Sequence, residues 1–413
     1  MKKLKVYNEL TEQWELAGEE NQPAFKKIKI GNSELEAKST QDRFQIEAGD
    51  NVQISANADT RTIEISTDLE MPEFIHEPTT PDNSIGEEGD IWFYFKDDGY
   101  GPSPGIELND AIPIACWEDL QAIGSASSYT FASGTEYETT TEGGLDKNYV
   151  QVANINMENK DNWTPIGWIN ETTGLPFTGH YNGNFRFIKS MTINHPGQFD
   201  MALFYENTGM ISNTMLLNVN VQGLNNAASL AVLNSGLVEN CVAVGQVTLT
   251  GNIGSGLVAV NELGGSIVNS AFKGNVTGNQ TTAGFVADNK GTVEDCYFAG
   301  TVTGGDYLAG FVADSEDGSV IHCYSQAAVT STTGQLVGAF IQNSTNAVVN
   351  NSYYDSNLTV HPDTSGAWPK TSTELKQQST FSNWNFENIW EILTDSMPNL
   401  QIENQFEQEI IHE

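Results

Sequence analysis

The segment VEDCYFAGTVTGGDYLAGFVAD, residues 293–314, carries the pattern that decides the fold. The hexapeptide AGFVAD begins at Ala283 and again at Ala309, and Cys323 follows Cys296 after 27 residues. A unit of that length is too short to bury a core of its own. Repeats of this size are typical of solenoids, in which each unit packs only against its neighbours.

Six units align on a small residue that ends a short apolar strand. The aligned residues are Thr214, Cys241, Ser270, Cys296, Cys323 and Ser352, at spacings of 27, 29, 26, 27 and 29. Within each unit, runs of β-forming residues are separated by Gly and Asn, which favours strands over helices. We therefore expect an all-β fold with a C-terminal right-handed β-solenoid (β-helix) over residues 201–355, built from coils of three short strands about 4.8 Å apart.

Equivalent residues of successive coils stack, so recurring positions predict columns. The aligned small residues predict an inward column in which Cys241, Cys296 and Cys323 are reduced, buried thiols. A second column is predicted at a turn, where stacked amides would form hydrogen bonds along the axis. Its members are Asn207, Asn234, Asn261, Asn289 and Asn343, with Ser315 in the intervening unit. Both columns are expected to be structural.

Changes in composition and pattern along the sequence predict five regions of the chain. They are a β-rich N-terminal region (1–70), a linker rich in Pro and acids (71–110), a segment with a cap and the first coils (111–200), the repeats (201–360) and a C-terminal cap (361–413). The alternating pattern of residues 43–66 predicts a hairpin too thin to hold a core alone. Residues 116–123 predict a short helix, and residues 148–157 predict a strand.

The C-terminal region predicts a cover for the last coil. Thr371 and Glu374 have the spacing of a capping box, which begins a short helix. The aromatic run NWNFENIWEI, residues 383–392, has the composition of a strand. Because the end of a solenoid exposes unpaired strand edges, we expect this run to lie over it.

Composition excludes several classes of function. The chain has 54 acidic and 18 basic residues, and its formal net charge of −36 repels DNA and RNA. No stretch reaches the roughly 18 apolar residues of a membrane span, so no membrane insertion is expected. Polar residues interrupt the N-terminal segment MKKLKVYNELTEQWEL, which predicts no secretory signal peptide.

Motifs for catalysis and cofactors are sparse. The sequence has no phosphate-binding loop, no zinc-ligand spacing of cysteines and no HExxH motif, and its histidines are isolated, so we expect no cofactor. Asp288 and Asp314 hold the same repeat position and could form a glycosidase pair, although solvated turn acids are the alternative. The turn with Asp314, Glu316 and Asp317 resembles a calcium-binding turn but lacks the full ligand series.

The repeat AGFVADNKGTVEDCYFAGTVTG, residues 283–304, resembles the GLUG-motif solenoids of bacterial surface adhesins. The segments WEDLQAI, NYVQVANINM, WTPIG and FTGHYNGN are similar to the family's leading segment in order, and STELKQQSTFSNWNFENIWEI is similar to its final segment. The resemblance covers roughly residues 112–400. It departs in the first repeat, where MLLNVNVQG lacks the expected glycine, and in the last, where Ala347 replaces the turn glycine.

The first hundred residues resemble a different class. The segments KVYNELTEQWEL, FQIEAGDNVQISANADTRTIEIS and PTTPDNSIGEEGDIWFYF are similar to segments of tail-fibre, baseplate and appendage proteins of tailed bacteriophages. The second is similar to trimeric fibre shafts. This resemblance implies a homotrimer, attachment to other phage structural proteins through the N-terminal region, assembly in the host cytoplasm and a place in the virion.

These observations together predict a phage tail fibre or appendage protein whose solenoid turns recognise a host cell-envelope glycan. Tyr307, Asp306 and Gln280, in irregular turns, are the predicted receptor contacts. Three alternatives remain: a polysaccharide depolymerase, a bacterial surface adhesin and a structural decoration of the virion. No enzymatic activity is expected, and binding could depend on calcium.

Overall fold

The structure is a computed structural model of the full chain. It describes residues 3–4, 27–30, 33–36, 52–57, 62–67, 111–124, 129–130, 136–137, 143–160, 162–170, 173–334 and 336–406. The chain divides into two compact units, Met1–Pro104 and Gly105–Glu413.

The first unit is antiparallel in its described strands. Lys3–Leu4, Thr62–Thr67 and Val52–Asn57 form a three-stranded sheet in that order, and Lys27–Ile30 pairs with Ser33–Glu36. The predicted hairpin is therefore present, with its two strands at 52–57 and 62–67. The predicted linker at 71–110 lies outside the described residues.

The second unit is a β-solenoid of parallel strands. Each complete coil contributes one strand to each of four sheets, and one of these holds the longest strands. This long-strand sheet consists of Ile155–Asn156, Phe187–Lys189, Met215–Gly223, Val242–Leu249, Ala271–Gly278, Tyr297–Gly304, Tyr324–Ser331, Tyr353–Asp355 and Trp368–Lys370, with Thr192–Asn194 beside Met215–Gly223.

Three further sheets complete the coil. The short-strand sheet consists of Phe199–Met201, Asn225–Ala227, Ile253–Ser255, Thr281–Ala283, Leu308–Ala309 and Val337–Gly338. The ladder sheet consists of Phe204–Asn207, Ala231–Asn234, Val258–Asn261, Val286–Asn289, Val312–Ser315 and Ile341–Asn343. The nine-stranded sheet consists of Ile112–Ile114, Asn148–Gln151, His180–Asn182, Met210–Ser212, Leu237–Glu239, Ser266–Val268, Thr292–Glu294, Ser319–Ile321 and Val348–Asn350.

The six strands of the ladder sheet mark six coils, which confirms the predicted all-β solenoid and its repeat of about 27 residues. The expectation of three strands per coil is wrong, because the short-strand sheet adds a fourth. Its strands contain two or three residues each. A strand of that length shows no alternation of apolar and polar residues, so the pattern could not reveal it.

The interior of the coils is filled by columns of identical or similar side chains. Phe285, Phe311 and Phe340 stack with ring centroids 4.9 and 4.8 Å apart, close to the strand spacing. Val247, Val276 and Val302 form another fully buried column on the long-strand sheet. Because each column repeats one contact per coil, the fold tolerates little change in side-chain volume at these positions.

The N-terminal cap agrees with the sequence. The predicted helix is Trp117–Ala122, and the residue before it, Cys116, has extended backbone. Predicted strand residues 148–157 form two strands, Asn148–Gln151 and Ile155–Asn156. Two small antiparallel pairs, Tyr129–Thr130 with Glu136–Tyr137 and Trp168–Asn170 with Thr173–Gly174, form separate two-stranded sheets. No helix of the described residues is long and apolar enough to cross a membrane.

The end of the solenoid is covered by residues 356–370 rather than by the aromatic run. Asp363 Oδ2 accepts hydrogen bonds from the backbone N–H groups of Phe340 and Ile341, at 3.0 and 2.8 Å. Trp368–Lys370 pairs with Tyr353–Asp355 and extends the long-strand sheet. One carboxylate and one added strand thus satisfy edges that would otherwise be open.

The C-terminal strap, residues 371–406, lies along the outside of the long-strand sheet. Phe381 packs on Tyr353, Trp390 on Tyr297 and Tyr324, and Phe406 on Phe185, so the strap runs back from the last coil towards the first. Of the predicted aromatic run, Trp384 packs on Tyr353 of the last coil and donates a hydrogen bond to Asn351 O, whereas Trp390 lies on earlier coils. The side chains of the strap that face the sheet form, together with the outward side chains of the long strands, a second hydrophobic cluster outside the solenoid.

The strap contains only short elements of secondary structure in its described residues. Thr371 and Glu374 form the reciprocal hydrogen bonds of the predicted capping box, but the turn that follows is a 3₁₀ helix, Glu374–Lys376, with another at Gln378–Thr380. Within the predicted strand at 383–392, only Trp390–Glu391 is extended, paired with Asn399–Leu400. The aromatic residues of this run serve side-chain packing and not a strand.

Candidate functional site

The long strands share a column of half-buried glycines. Gly245, Gly274 and Gly300 pair with one another in successive coils and have φ between +150° and +157°. A Cβ on Gly274 would lie 1.9 Å from the Gly245 carbonyl oxygen, so only glycine fits. The absence of side chains leaves a trough in the sheet surface.

The first long strand reaches the same shape without the glycine. Val219 pairs with Gly245, and the strand has an irregularity between Leu216 and Val219. Asn218, inside that irregularity, has a φ of +52°. A bulge in this strand therefore takes the place of the glycine that the first repeat lacks.

A groove of about 400 Å³ lies over this trough. It is lined by small, amide and hydroxyl side chains, one lysine and two valines: Ser190, Thr192, Asn218, Val219, Asn220, Val244, Gly245, Gln246, Lys273, Gly274 and Asn275. None of these residues is acidic. Asn220, Gln246 and Asn275 are exposed and pair in register in successive coils, so one amide recurs per coil along the groove.

The single cation of the groove is already paired. Lys273 Nζ forms an ion pair with Glu403 of the strap and lies 5.6 Å from the centre of the Tyr297 ring. The ion pair is half-buried and removes the positive charge that would attract an anionic ligand. The groove therefore offers hydrogen-bonding groups with little net charge.

The receptor contacts predicted from sequence lie elsewhere. Tyr307 is 47% exposed at a φ of +50°, Gln280 is exposed, and Asp306 accepts a hydrogen bond of 2.7 Å from Thr333 Oγ1. The structure brings their turns together, because Asp306 N donates to Asn279 O in the preceding coil. None of the three lines the groove.

The predicted amide column is present through five coils. Asn207 Nδ2 donates to Asn234 Oδ1, Asn234 to Asn261 and Asn261 to Asn289, each at 2.8 Å, and Asn289 donates to Ser315 Oγ at 3.3 Å. We call this the inner amide ladder. The four asparagines are fully buried.

Asn343 does not belong to the inner amide ladder. It pairs with Asp314 and donates to Asp314 Oδ1 at 2.9 Å, which places it one position earlier than Ser315. The placement of Asn343 in the column is therefore a wrong prediction. The register here has an offset of 29 residues, so Ser344 is the equivalent of Ser315, and a match by residue type alone placed Asn343 one position off.

The small-residue column lies inside the solenoid. Cys241, Ser270, Cys296, Cys323 and Ser352 are at most 1% exposed, and no cysteine forms a disulfide. Burial raises the pKa of the Cys241 thiol to about 12, and burial together with neighbouring Cys323 raises the pKa of Cys296. Such thiols stay protonated at neutral pH and are poor nucleophiles.

Asp288 and Asp314 pair in adjacent coils, as their shared repeat position predicted. Burial raises the pKa of Asp288, and the ammonium of Lys290, 3.4 Å away, opposes that rise. Asp314 holds Asn343. Both carboxylates thus have partners within the protein.

The calcium-type turn does not form a ligand cluster. Among the described residues, the structure brings three metal-ligating side chains together in one place, and that group excludes Asp314, Glu316 and Asp317. The group is Glu294, Asp295 and His322, with ligand atoms all within 4.8 Å of one another. The interpretation of His322 as isolated is therefore wrong.

The group sits in a column that sequence reasoning missed. The residue immediately before each aligned small residue has a left-handed backbone, with φ from +45° to +55°: Asn213, Asn240, Asn269, Asp295, His322 and Asn351. Asn, Asp and His are the residues that tolerate this conformation best. The signal was present, since every aligned unit carries one of these three residues at that position.

Known proteins resemble this chain in limited ways. No family model matches it. A protein of Evansella cellulosilytica named "Putative Gly-rich membrane protein" is 33% identical over 75 residues, which are 18% of this chain and 9% of that protein. This chain therefore covers a small part of that relative's length.

The solved structures supply a fold likeness. A crystal structure from Bacteroides ovatus, described as "a putative immunoglobulin A1 protease", matches with a TM-score of 0.53 over 72% of this chain and 94% of that one. Sequence identity is 16%. At that identity the likeness supports the β-solenoid fold alone.

Proposed function

We propose that the chain is a phage tail fibre or appendage protein that binds an uncharged glycan of the host cell envelope without cleaving it. The observation that carries this proposal is the groove on the long-strand sheet, whose lining combines amides and hydroxyls with no carboxylate. Primary amides both donate and accept hydrogen bonds, as sugar hydroxyls do. The groove therefore suits a neutral, hydroxyl-rich ligand.

The electrostatics support a neutral ligand. The chain carries a net charge of −36, and the one cation lining the groove is paired with Glu403. Anionic polymers would be repelled by the surface and would find no free positive charge in the groove. We expect weak contacts per site, multiplied by several copies of the chain in one particle.

Binding without cleavage is favoured by the placement of the acids. Glycoside hydrolysis needs two carboxylates flanking the scissile bond. The groove lining supplies none, while Asp288 and Asp314 have partners in Lys290 and Asn343 on another sheet. A depolymerase remains the second hypothesis, and release of reducing ends from envelope material is its assay.

The virion assignment rests on the resemblance of the N-terminal segments to phage fibre and appendage proteins. Attachment to other phage structural proteins through this region and a homotrimeric state are part of the same proposal. The hairpin with strands Val52–Asn57 and Thr62–Thr67 is thin, and association with copies of itself would bury its apolar residues. A bacterial surface adhesin would lack the place in the virion, and a structural decoration of the virion would lack glycan binding.

The test is binding of the full chain to purified envelope glycans, with and without calcium. Gln246→Ala and Asn275→Ala each remove one exposed amide from the groove, and we expect each to weaken binding about five- to tenfold, as for a lost hydrogen bond. The matched control is Gln326→Ala on the same sheet, two coils beyond Lys273 and outside the groove lining.

The variants distinguish the two candidate surfaces. Loss of binding in the groove variants with normal binding by Gln326→Ala supports the groove. If Tyr307→Ala abolishes binding and the groove variants do not, the turn residues are the receptor site and the groove assignment is wrong. Absence of the chain from purified phage particles would contradict the virion assignment.

A further inference from the structure

We propose that Glu294, Asp295 and His322 form a binding site for a divalent transition metal ion such as Zn²⁺. His322 Nδ1 lies 3.8 Å from Glu294 Oε1 and 3.7 Å from Asp295 Oδ1, and one atom from each residue falls within a single small volume. The site joins two adjacent coils. It is separate from the groove and does not depend on the proposed glycan binding.

The surrounding column indicates that these residues do more than fill a turn. In the first coils the column is an outer amide ladder: Asn213 Nδ2 donates to Asn182 Oδ1 at 3.1 Å, Asn240 donates to Asn213 at 3.0 Å, and Asn269 donates to Asn240. Each amide oxygen accepts from the amide of the next coil. The ladder stops where Asp295 replaces asparagine.

The interruption leaves an unsatisfied acceptor. Asn269 Oδ1 is buried and has no hydrogen-bond partner, because an ionised carboxylate at Asp295 has no proton to donate. An asparagine at position 295 would have continued the ladder. Replacing asparagine with Asp295 therefore costs one hydrogen bond at Asn269 Oδ1. A bound cation beside Asp295 would offset that cost by attracting both the carboxylate and the amide oxygen.

The ligand set selects the class of metal. Imidazole nitrogen with carboxylate oxygens suits zinc and neighbouring transition metals, whereas calcium prefers oxygen ligands alone. Three protein ligands leave a position for water, as in zinc sites that are not closed.

The site also connects to the strap. Trp390 Nε1 donates to Asp295 Oδ1 at 2.8 Å, and Trp390 is fully buried against Tyr297 and Tyr324. A carboxylate has about four lone-pair positions, so Asp295 can hold this hydrogen bond and a metal ion together. Metal binding would therefore fix the orientation of the carboxylate on which the strap is anchored.

The experiment is titration of the full chain with ZnCl₂ at pH 7.5 by calorimetry, followed by thermal melting with and without the metal. The test variants are His322→Asn and Asp295→Asn. Asparagine occupies the same column position in other coils with the same left-handed backbone, so both variants should keep the fold. His195→Asn, a histidine outside the cluster, is the matched control.

We expect the wild type and His195→Asn to bind one more Zn²⁺ per chain than the test variants, or to bind it at least about tenfold more tightly. Zinc should raise the melting temperature of the wild type and leave that of His322→Asn unchanged. If the test variants bind zinc as the wild type does, or if the wild type shows no binding, the three residues form an ion-pair network only and the proposal is overturned.

Discussion

At the scale of single residues, this molecule uses each side chain as a link between two coils. Asn261 accepts from Asn234 on one side and donates to Asn289 on the other, both at 2.8 Å, inside the protein. A change in one coil is therefore felt in two others. Asp295 shows the converse, since one residue without a donor interrupts a ladder that four asparagines had maintained.

The inner amide ladder predicts a large effect from a small truncation. Asn261→Ala removes both ladder hydrogen bonds of this residue, together with its bonds to the carbonyl oxygens of Gly265 and Thr292, and leaves Asn234 Nδ2 and Asn289 Oδ1 without these partners. We expect a loss of roughly 2–4 kcal/mol in the free energy of unfolding, measured by urea denaturation. Asn252→Ala, in an exposed turn, should change it by less than about 0.5 kcal/mol. Equal effects would show that the ladder is not a source of stability.

His180 predicts part of the pH dependence. Burial lowers the pKa of His180 to about 4, and its Nε2 lies 2.7 Å from Ser212 Oγ. The unfolded chain takes up a proton near pH 6.5 and the folded chain does not until about pH 4, so stability is present above pH 6.5 and is lost as pH falls through this window.

The check for His180 is a comparison of urea denaturation at pH 7 and pH 5. His180→Gln removes the titrating group, so the wild type should lose about 1 kcal/mol more than the variant on acidification, after allowance for partial exposure. Identical pH dependence in both proteins would contradict burial of a neutral imidazole.

At the scale of elements, two features shape the outer surface of the long-strand sheet. The glycine column opens the groove, and the strap closes the neighbouring aromatic column of Tyr297, Tyr324 and Tyr353. The strap also supplies Glu403, which neutralises Lys273 at the groove. The strap thus determines which part of the long-strand sheet is covered and which part, the groove, stays accessible.

Docking of the strap should depend on Trp390. This side chain is fully buried, packs on Tyr297 and Tyr324 and bonds to Asp295. Trp390→Ala should cost about 3–5 kcal/mol and expose the strap to proteolysis while the coils stay resistant. Trp368→Ala, where the side chain is 53% exposed, is the control and should leave the cleavage pattern unchanged. Cleavage spread equally over coils and strap in Trp390→Ala would contradict independent docking.

At the scale of the whole molecule, the sequence predicted the features that recur from one coil to the next. The spacing of Cys241, Cys296 and Cys323 indicated the coil length, and the recurring asparagines indicated an amide ladder because both patterns recur at short range. The left-handed column has an equally regular signal, an Asn, Asp or His before each aligned small residue. The strap was out of reach, since the contact between Asp295 and Trp390 joins residues 95 positions apart and no periodicity connects them.

The groove was also beyond sequence reasoning. Its floor is a glycine column, and glycines in a repeat usually indicate turns rather than an accessible surface within a strand. The polar, irregular turns predicted Tyr307 and Gln280 instead, which lie on the surface but outside the groove. The pairing of Gly245 with Gly274 in register, and the groove that both residues line, appear only in the three-dimensional structure.

Glycan binding in the groove is tested by a crystal structure of the full chain soaked with a neutral oligosaccharide from an envelope that it binds. We expect sugar density over the glycine column, with hydroxyls hydrogen-bonded to Asn220, Gln246 and Asn275. Sugar bound at the turn of Tyr307, or between Asp288 and Asp314 with a cleaved linkage, would contradict the groove as a non-catalytic binding site.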